Sequence, residues 1–90
     1  DQFASEELVK AVSAIAAYVP DDLPIIYDEE YGVGWQDPHG WQVYFGFDTE
    51  NVAVKNLVYV SIVKRLQEKK IKPVLISVEY VNAPFYRLER

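Results

Sequence analysis

Apolar residues along this chain recur first at helical spacing, then in alternation, then at helical spacing again, and last in alternation. Leu8, Val12, Ile15, Ala16 and Val19 make one stripe on a helix. Ser5-Glu6-Glu7 supplies an N-cap followed by acidic first-turn residues that suit the helix dipole, and Pro20 ends the element. After the connector Asp21-Asp22-Leu23-Pro24, Ile25-Ile26-Tyr27 predicts a short strand and Asp28-Glu29-Glu30 an acidic loop. Tyr31–Trp35 predicts a second strand, weakened by Gly32 and Gly34 but carried by aromatic and β-branched neighbours. In Gln36-Asp37-Pro38-His39-Gly40, Pro38 presets φ and Gly40 tolerates the positive φ that closes a hairpin. The return strand is Trp41–Phe45, with Trp41, Val43 and Phe45 on one face and Gln42 and Tyr44 on the other.

A second helix is predicted over Asn51–Lys69, capped by Asp48 or Thr49, with Val54, Leu57, Val58, Ile62 and Leu66 as its buried stripe. The segment Leu57–Val63 is β-branched enough to imitate a strand. Its apolar spacing of three and four, and the cations that follow at the negative end of the dipole, favour helix. Pro73 stops any continuation. In the last strand, Val74–Val81, residues Val74, Ile76, Val78 and Tyr80 face one way and Leu75, Ser77, Glu79 and Val81 the other. A half-polar outer face suits an antiparallel sheet with one wet side. The order α-β-β-β-α-β predicts a single α+β domain over residues 1–90. It has two layers, with both helices packed on one face of an antiparallel sheet.

Composition narrows the function more than it suggests one. Half of the 90 residues are apolar and 26% are charged, which is globular rather than disordered. A net charge of −5 argues against nucleic acid, whose binding rests on neutralising phosphates, and against contact with an anionic membrane surface. The absence of Cys removes disulfides, thiol catalysis and Cys-based metal sites. No apolar run approaches the ~20 residues needed to span a bilayer. There is no Met, not even at position 1, so the chain is expected to be a fragment or processed form of something longer.

Candidate chemistry is sparse. His39, the single histidine, sits at a turn tip and is expected to be exposed; without a second His or any Cys it predicts no zinc site. Ser5, Ser13, Ser61 and Ser77 lie in no nucleophile elbow, so a Ser–His–Asp arrangement is not expected. Gly32-Val33-Gly34 lies inside a strand and is no phosphate loop. Asp21, Asp22, Asp28, Glu29 and Glu30 are expected to be solvated loop charge; their spacing does not match a calcium loop. No catalytic residue, metal or cofactor is expected. The aromatics crowd one stretch, from Tyr27 to Phe47. Most are needed for the core, but Trp35 and Tyr44 are candidates for an exposed pair that stacks on sugars, which makes a carbohydrate- or peptidoglycan-binding module the alternative function. The last strand has a distinct claim. If it ends the sheet, its free backbone groups accept an extended partner segment by strand addition.

Four segments together resemble a known family. They are Gly40-Trp41-Gln42-Val43-Tyr44-Phe45-Gly46, then Lys55-Asn56-Leu57, then Ile76-Ser77-Val78-Glu79-Tyr80, then Pro84-Phe85-Tyr86-Arg87. This series resembles the C-terminal extracytoplasmic β domain of the cell-division proteins FtsQ/DivIB. Asp48–Val54 is longer than the usual gap, Lys69-Lys70 stands where a helix-ending Gly is common, and Glu79 replaces a position that is often Arg. The resemblance implies a single-pass membrane parent with this domain on the extracytoplasmic face. It also implies a non-enzymatic divisome scaffold that binds FtsB- and FtsL-like proteins by strand addition. Carried onto this chain, the contact falls on Val74, Ile76, Ser77, Val78, Glu79, Tyr80 and Val81, with Tyr80 as the side-chain anchor. If the leading strands of that domain lie outside the chain, a second edge is open, and a homodimer formed by strand pairing or swapping is expected.

Overall fold

The computed structural model describes residues 2–20 and 22–89, and of the first helix the side chains from Glu6 onward. Two helices and five strands follow in the order α1 (Gln2–Ile15), β1 (Ile25–Asp28), β2 (Gly32–Gln36), β3 (Gln42–Gly46), α2 (Val52–Glu68), β4 (Leu75–Ser77) and β5 (Phe85–Arg87). The strands form one sheet in the spatial order β1-β2-β3-β4-β5. The α+β class and the first six elements agree with the sequence reading. The sheet is mixed rather than antiparallel, because β3 and β4 run parallel. The cause is α2, which carries the chain from one end of the sheet back to the other, as a parallel pair requires.

Both helices pack on the same face. One core joins Ala11 and Ile15 of α1 with Val52, Tyr59 and Leu66 of α2. From the sheet it takes Val33, Trp35, Val43, Phe45 and Ile76, flanked by Trp41 and Val78. Register explains the selection: Trp35, Val43, Ile76 and Tyr86 stand in one row across four strands. The hairpin turn is built as its residues suggest. Asp37 Oδ2 accepts the His39 N–H at 3.1 Å, and the Gly40 N–H returns to the Asp37 carbonyl at 3.0 Å with φ of Gly40 at 112°.

α1 begins earlier and ends earlier than expected. Ser5 lies inside it, so the cap assigned there is not at the helix start, and the Ser5 side chain and Asp21 fall outside the described residues. Ala11, not Ala16, completes its buried stripe; Ala16 is exposed. α2 is entered at Asn51, which takes the left-handed conformation at φ 60°, rather than at Asp48 or Thr49. Its buried face is also rotated. Val54 and Leu57 point outward, and Val52, Lys55, Tyr59 and Leu66 point in. The first three turns are apolar nearly all round, so spacing alone could not select a stripe.

The outer face of the sheet is not wet at its centre. Tyr44, Leu75 and Ser77 are buried there, on the face opposite the two helices. Aromatic rings close it instead: Tyr31 stacks on Tyr44 with centroids 5.4 Å apart and meets Phe85 at 6.1 Å. Gly34 lies beneath this layer, where a Cβ would stand 1.7 Å from the Val43 carbonyl oxygen, so only glycine lets β2 and β3 approach this closely.

Candidate interaction surface at the sheet edge

The segment expected to be the last strand is interior. β4 spans only Leu75–Ser77 and pairs with β3 on one side and β5 on the other. The Gln42 N–H donates to the Val74 carbonyl at 3.0 Å and the Val78 N–H to the Tyr44 carbonyl at 2.9 Å; from the other side, the Val74 N–H donates to the Arg87 carbonyl at 2.9 Å. Val74, Ile76, Ser77 and Val78 therefore cannot take an added strand. Glu79, Tyr80 and Val81 have left the strand for a turn, in which the Ala83 N–H donates to the Tyr80 carbonyl at 3.0 Å. Ser77 and Val78 are buried, Glu79 is half-buried, and Tyr80 is exposed.

The edge belongs to β5. It pairs with β4 through Leu75↔Arg87, Ile76↔Tyr86 and Ser77↔Phe85, and among the described residues the sheet order places no strand beyond it. Phe85 and Arg87 share the outer face, with the Arg87 guanidinium carbon 5.5 Å from the Phe85 ring centroid. Tyr86 lies on the helix side. Phe85, Tyr86 and the following Leu88 are all exposed. Beside the strand, Asp28, Glu30, Tyr31, Leu75 and Arg87 line a pocket of about 200 Å³. Its wall is shaped by Asp28, whose Oδ1 accepts the Glu30 and Tyr31 N–H groups at 2.8 and 3.0 Å. Sequence reasoning missed β5, although Asn82-Ala83-Pro84 before Phe85-Tyr86 is a turn followed by two strand-forming aromatics.

Trp35 and Tyr44 are only 2% and 3% exposed, so neither offers a ring face to a sugar. Trp35 packs on Phe45 and Tyr59 and donates its indole N–H to Asp37 Oδ1 at 3.1 Å. Tyr44 is covered by Tyr31.

A polar cluster lies where the hairpin turn meets α2. Asp37 Oδ1 also accepts the Tyr59 hydroxyl at 3.1 Å, and Tyr59 accepts the Trp41 indole N–H at 2.9 Å. His39 is exposed, as expected, yet it is held. Its ring stacks on Trp41 at 4.8 Å, Nδ1 lies 2.6 Å from Asp37 Oδ2, and Nε2 faces the Gln67 amide at 3.3 Å. No serine hydroxyl bonds to His39 among the described residues. Burial pushes the Asp37 carboxyl up, but the hydrogen bonds from His39, Trp35 and Tyr59 outweigh it and hold the group below its ordinary value.

Lys55 is 1% exposed, and its ammonium donates to the Phe45 carbonyl at 2.8 Å, next to a bulge where Gly32 and Val33 both oppose Gly46. Burial pulls the Lys55 ammonium down, and nearby Asp48 and Glu79 only partly offset this. Burial likewise pushes Glu79 up against the opposing pull of Lys55. No group of three or more His, Cys, Asp or Glu residues could hold a metal ion, and no helix is long and apolar enough to cross a membrane, among the described residues.

No protein-family model matches this chain, and no match was found among curated proteins or solved structures.

Proposed function

We propose that this domain is a non-enzymatic protein-interaction module of a bacterial cell-division scaffold. It works on the extracytoplasmic face of the membrane that anchors its parent and captures an extended segment of an FtsB- or FtsL-like partner by strand addition. The observation that carries the reading is the β5 edge: a strand paired on one side, ending the sheet, with exposed aromatic side chains on both of its faces. An added strand gains main-chain hydrogen bonds from that edge, and alternate side chains of the partner meet Phe85 and the Arg87 pocket on one face and Tyr86 on the other. The family resemblance supplies the partner class, and its last segment, Pro84-Phe85-Tyr86-Arg87, contains β5 itself.

The test separates backbone from side-chain recognition. Tyr86→Pro removes a backbone donor from a strand that is at the sheet edge, where the core does not depend on it. Binding of an FtsB-like peptide is expected to be lost in Tyr86→Pro and weakened in Tyr86→Ala and Phe85→Ala. Undiminished binding in all three would place the site elsewhere.

A further inference from the structure

The outer face of α2 is a surface that strand addition leaves unused. From Val52 to Val63 its only charged residue is Lys55, and Lys55 points into the core. What remains outside is apolar apart from the exposed Ser61 and the half-buried Asn56: Leu57 is 69% exposed, Val60 55% and Val54 43%. Val54, Leu57, Val58, Ser61, Ile62 and Arg65 line a groove of about 310 Å³. They form two ridges at i, i+4 spacing, Val54–Val58–Ile62 and Leu57–Ser61–Arg65. A second helix packs into such a groove when its own ridges have the complementary profile. Ser61 is the low point of one ridge and Leu57 the high point of the same ridge, four residues away.

We infer that this face joins two copies of the chain through antiparallel packing of α2 on α2. A two-fold axis at the level of Tyr59 sets Leu57 of each copy into the dip at Ser61 of the other, so the surface is complementary to itself, as an isologous interface must be. The same axis brings the ends of the helix together with opposite charge. Asp48 and Glu50 precede α2, and Lys64, Arg65, Lys69 and Lys70 close it, against a single acid, Glu68. With the axis at Tyr59, Asp48 of one copy stands level with Lys70 of the other, and Glu50, level with Glu68, lies between Arg65 and Lys69, so the acidic entry meets an exit of net positive charge; the two helix dipoles oppose as well. A parallel pair sets like charges together at both ends. Asp48 also lies beside Glu7 and Lys10 of α1 and accepts the Glu50 N–H, which leaves Glu50 as the freer acid. This association uses neither edge of the sheet and is independent of the β5 reading.

Sedimentation velocity over a concentration series tests it. The parent chain is expected to dimerise reversibly. Leu57→Glu and Ser61→Arg are each expected to raise the dimer dissociation constant by about 30-fold or more, as loss of a central anchor does. Both sit on an exposed helix face, so circular dichroism and Tm should stay near the parent values. Lys69→Glu with Lys70→Glu is expected to weaken the dimer, and adding Glu50→Lys to restore part of the loss. A parent chain that is monomeric at every concentration overturns the inference. So does a dimer that survives both Leu57→Glu and Ser61→Arg, which would associate through strand edges instead. A dimer broken by Leu57→Glu but indifferent to the charge variants overturns the antiparallel orientation.

Discussion

The Tyr59 hydroxyl donates to Asp37 Oδ1 at 3.1 Å and so ties the middle of α2 to the tip of the β2–β3 hairpin. The same hydroxyl accepts the Trp41 indole N–H at 2.9 Å, so one side chain completes a chain of buried polar contacts. Tyr59→Phe keeps the ring against Trp35 and Phe45 but leaves the Trp41 donor unpaired in the core. The expected loss is about 1–3 kcal/mol, the cost of an unsatisfied buried group. Chemical denaturation of the two proteins checks it. The phenol also carries a pH signature. Burial raises it above its ordinary 10.0, the Trp41 bond pulls the other way, and Asp37 raises it further. A raised value in the fold means stability that is present below about pH 10 and lost as pH climbs through the folded value. Tyr59→Phe should lack that alkaline loss.

Asp37 has the opposite sign. Its folded value lies below 3.8, so it stabilises the fold at pH values above that and the contribution drains away as pH falls through the folded value. Asp37→Asn presents an amide donor where the carboxylate accepts from Trp35, Tyr59 and His39. The variant is expected to lose about 1–3 kcal/mol at neutral pH. Below about pH 4 its stability should fall less steeply than the parent's. Thermal melts across the acid range decide the point; parallel curves for the two proteins would contradict it.

Lys55 costs stability for as long as it is charged. Its folded value lies below 10.5, so the unfolded chain holds a proton that the folded chain gives up in the window between the two. Stability therefore rises as pH rises through that window. Lys55→Met removes the buried charge and the bond to the Phe45 carbonyl together. These changes oppose, so neutral-pH stability is expected to stay within about 1 kcal/mol of the parent. The rise toward pH 10 should disappear, and denaturation at neutral and alkaline pH measures both.

The parts of this fold that were legible in the sequence are those where local chemistry and burial agree. Asp37-Pro38-His39-Gly40 forms the turn its residues prescribe, and Trp41, Val43 and Phe45 lie on the buried side that alternation assigns. Spacing failed where one segment satisfied two patterns. The first turns of α2 are apolar on every side, so Val54 and Leu57 looked as buried as Val52 and Tyr59, and a lysine was not expected to occupy the inner face. Tyr44 alternates against Trp41, Val43 and Phe45 and looked exposed; the phase of Trp35 is hidden by the glycines that flank Val33. Trp35 is in fact in register with Val43, and Tyr44 is roofed by Tyr31 from a loop. Strand order is the least local property of all. Nothing within Val74–Val81 reveals that Phe85–Arg87 folds back to cover its edge, and that reversal moves the open edge of the sheet by one strand.

Strand addition at β5 is tested most directly by an NMR titration of the labelled domain with FtsB-like peptides. Shifts and broadening concentrated on Phe85, Tyr86, Arg87 and their β4 partners Leu75, Ile76 and Ser77 are the expected result. Shifts confined to β1 or to α2, or none at all from a folded domain, would contradict it.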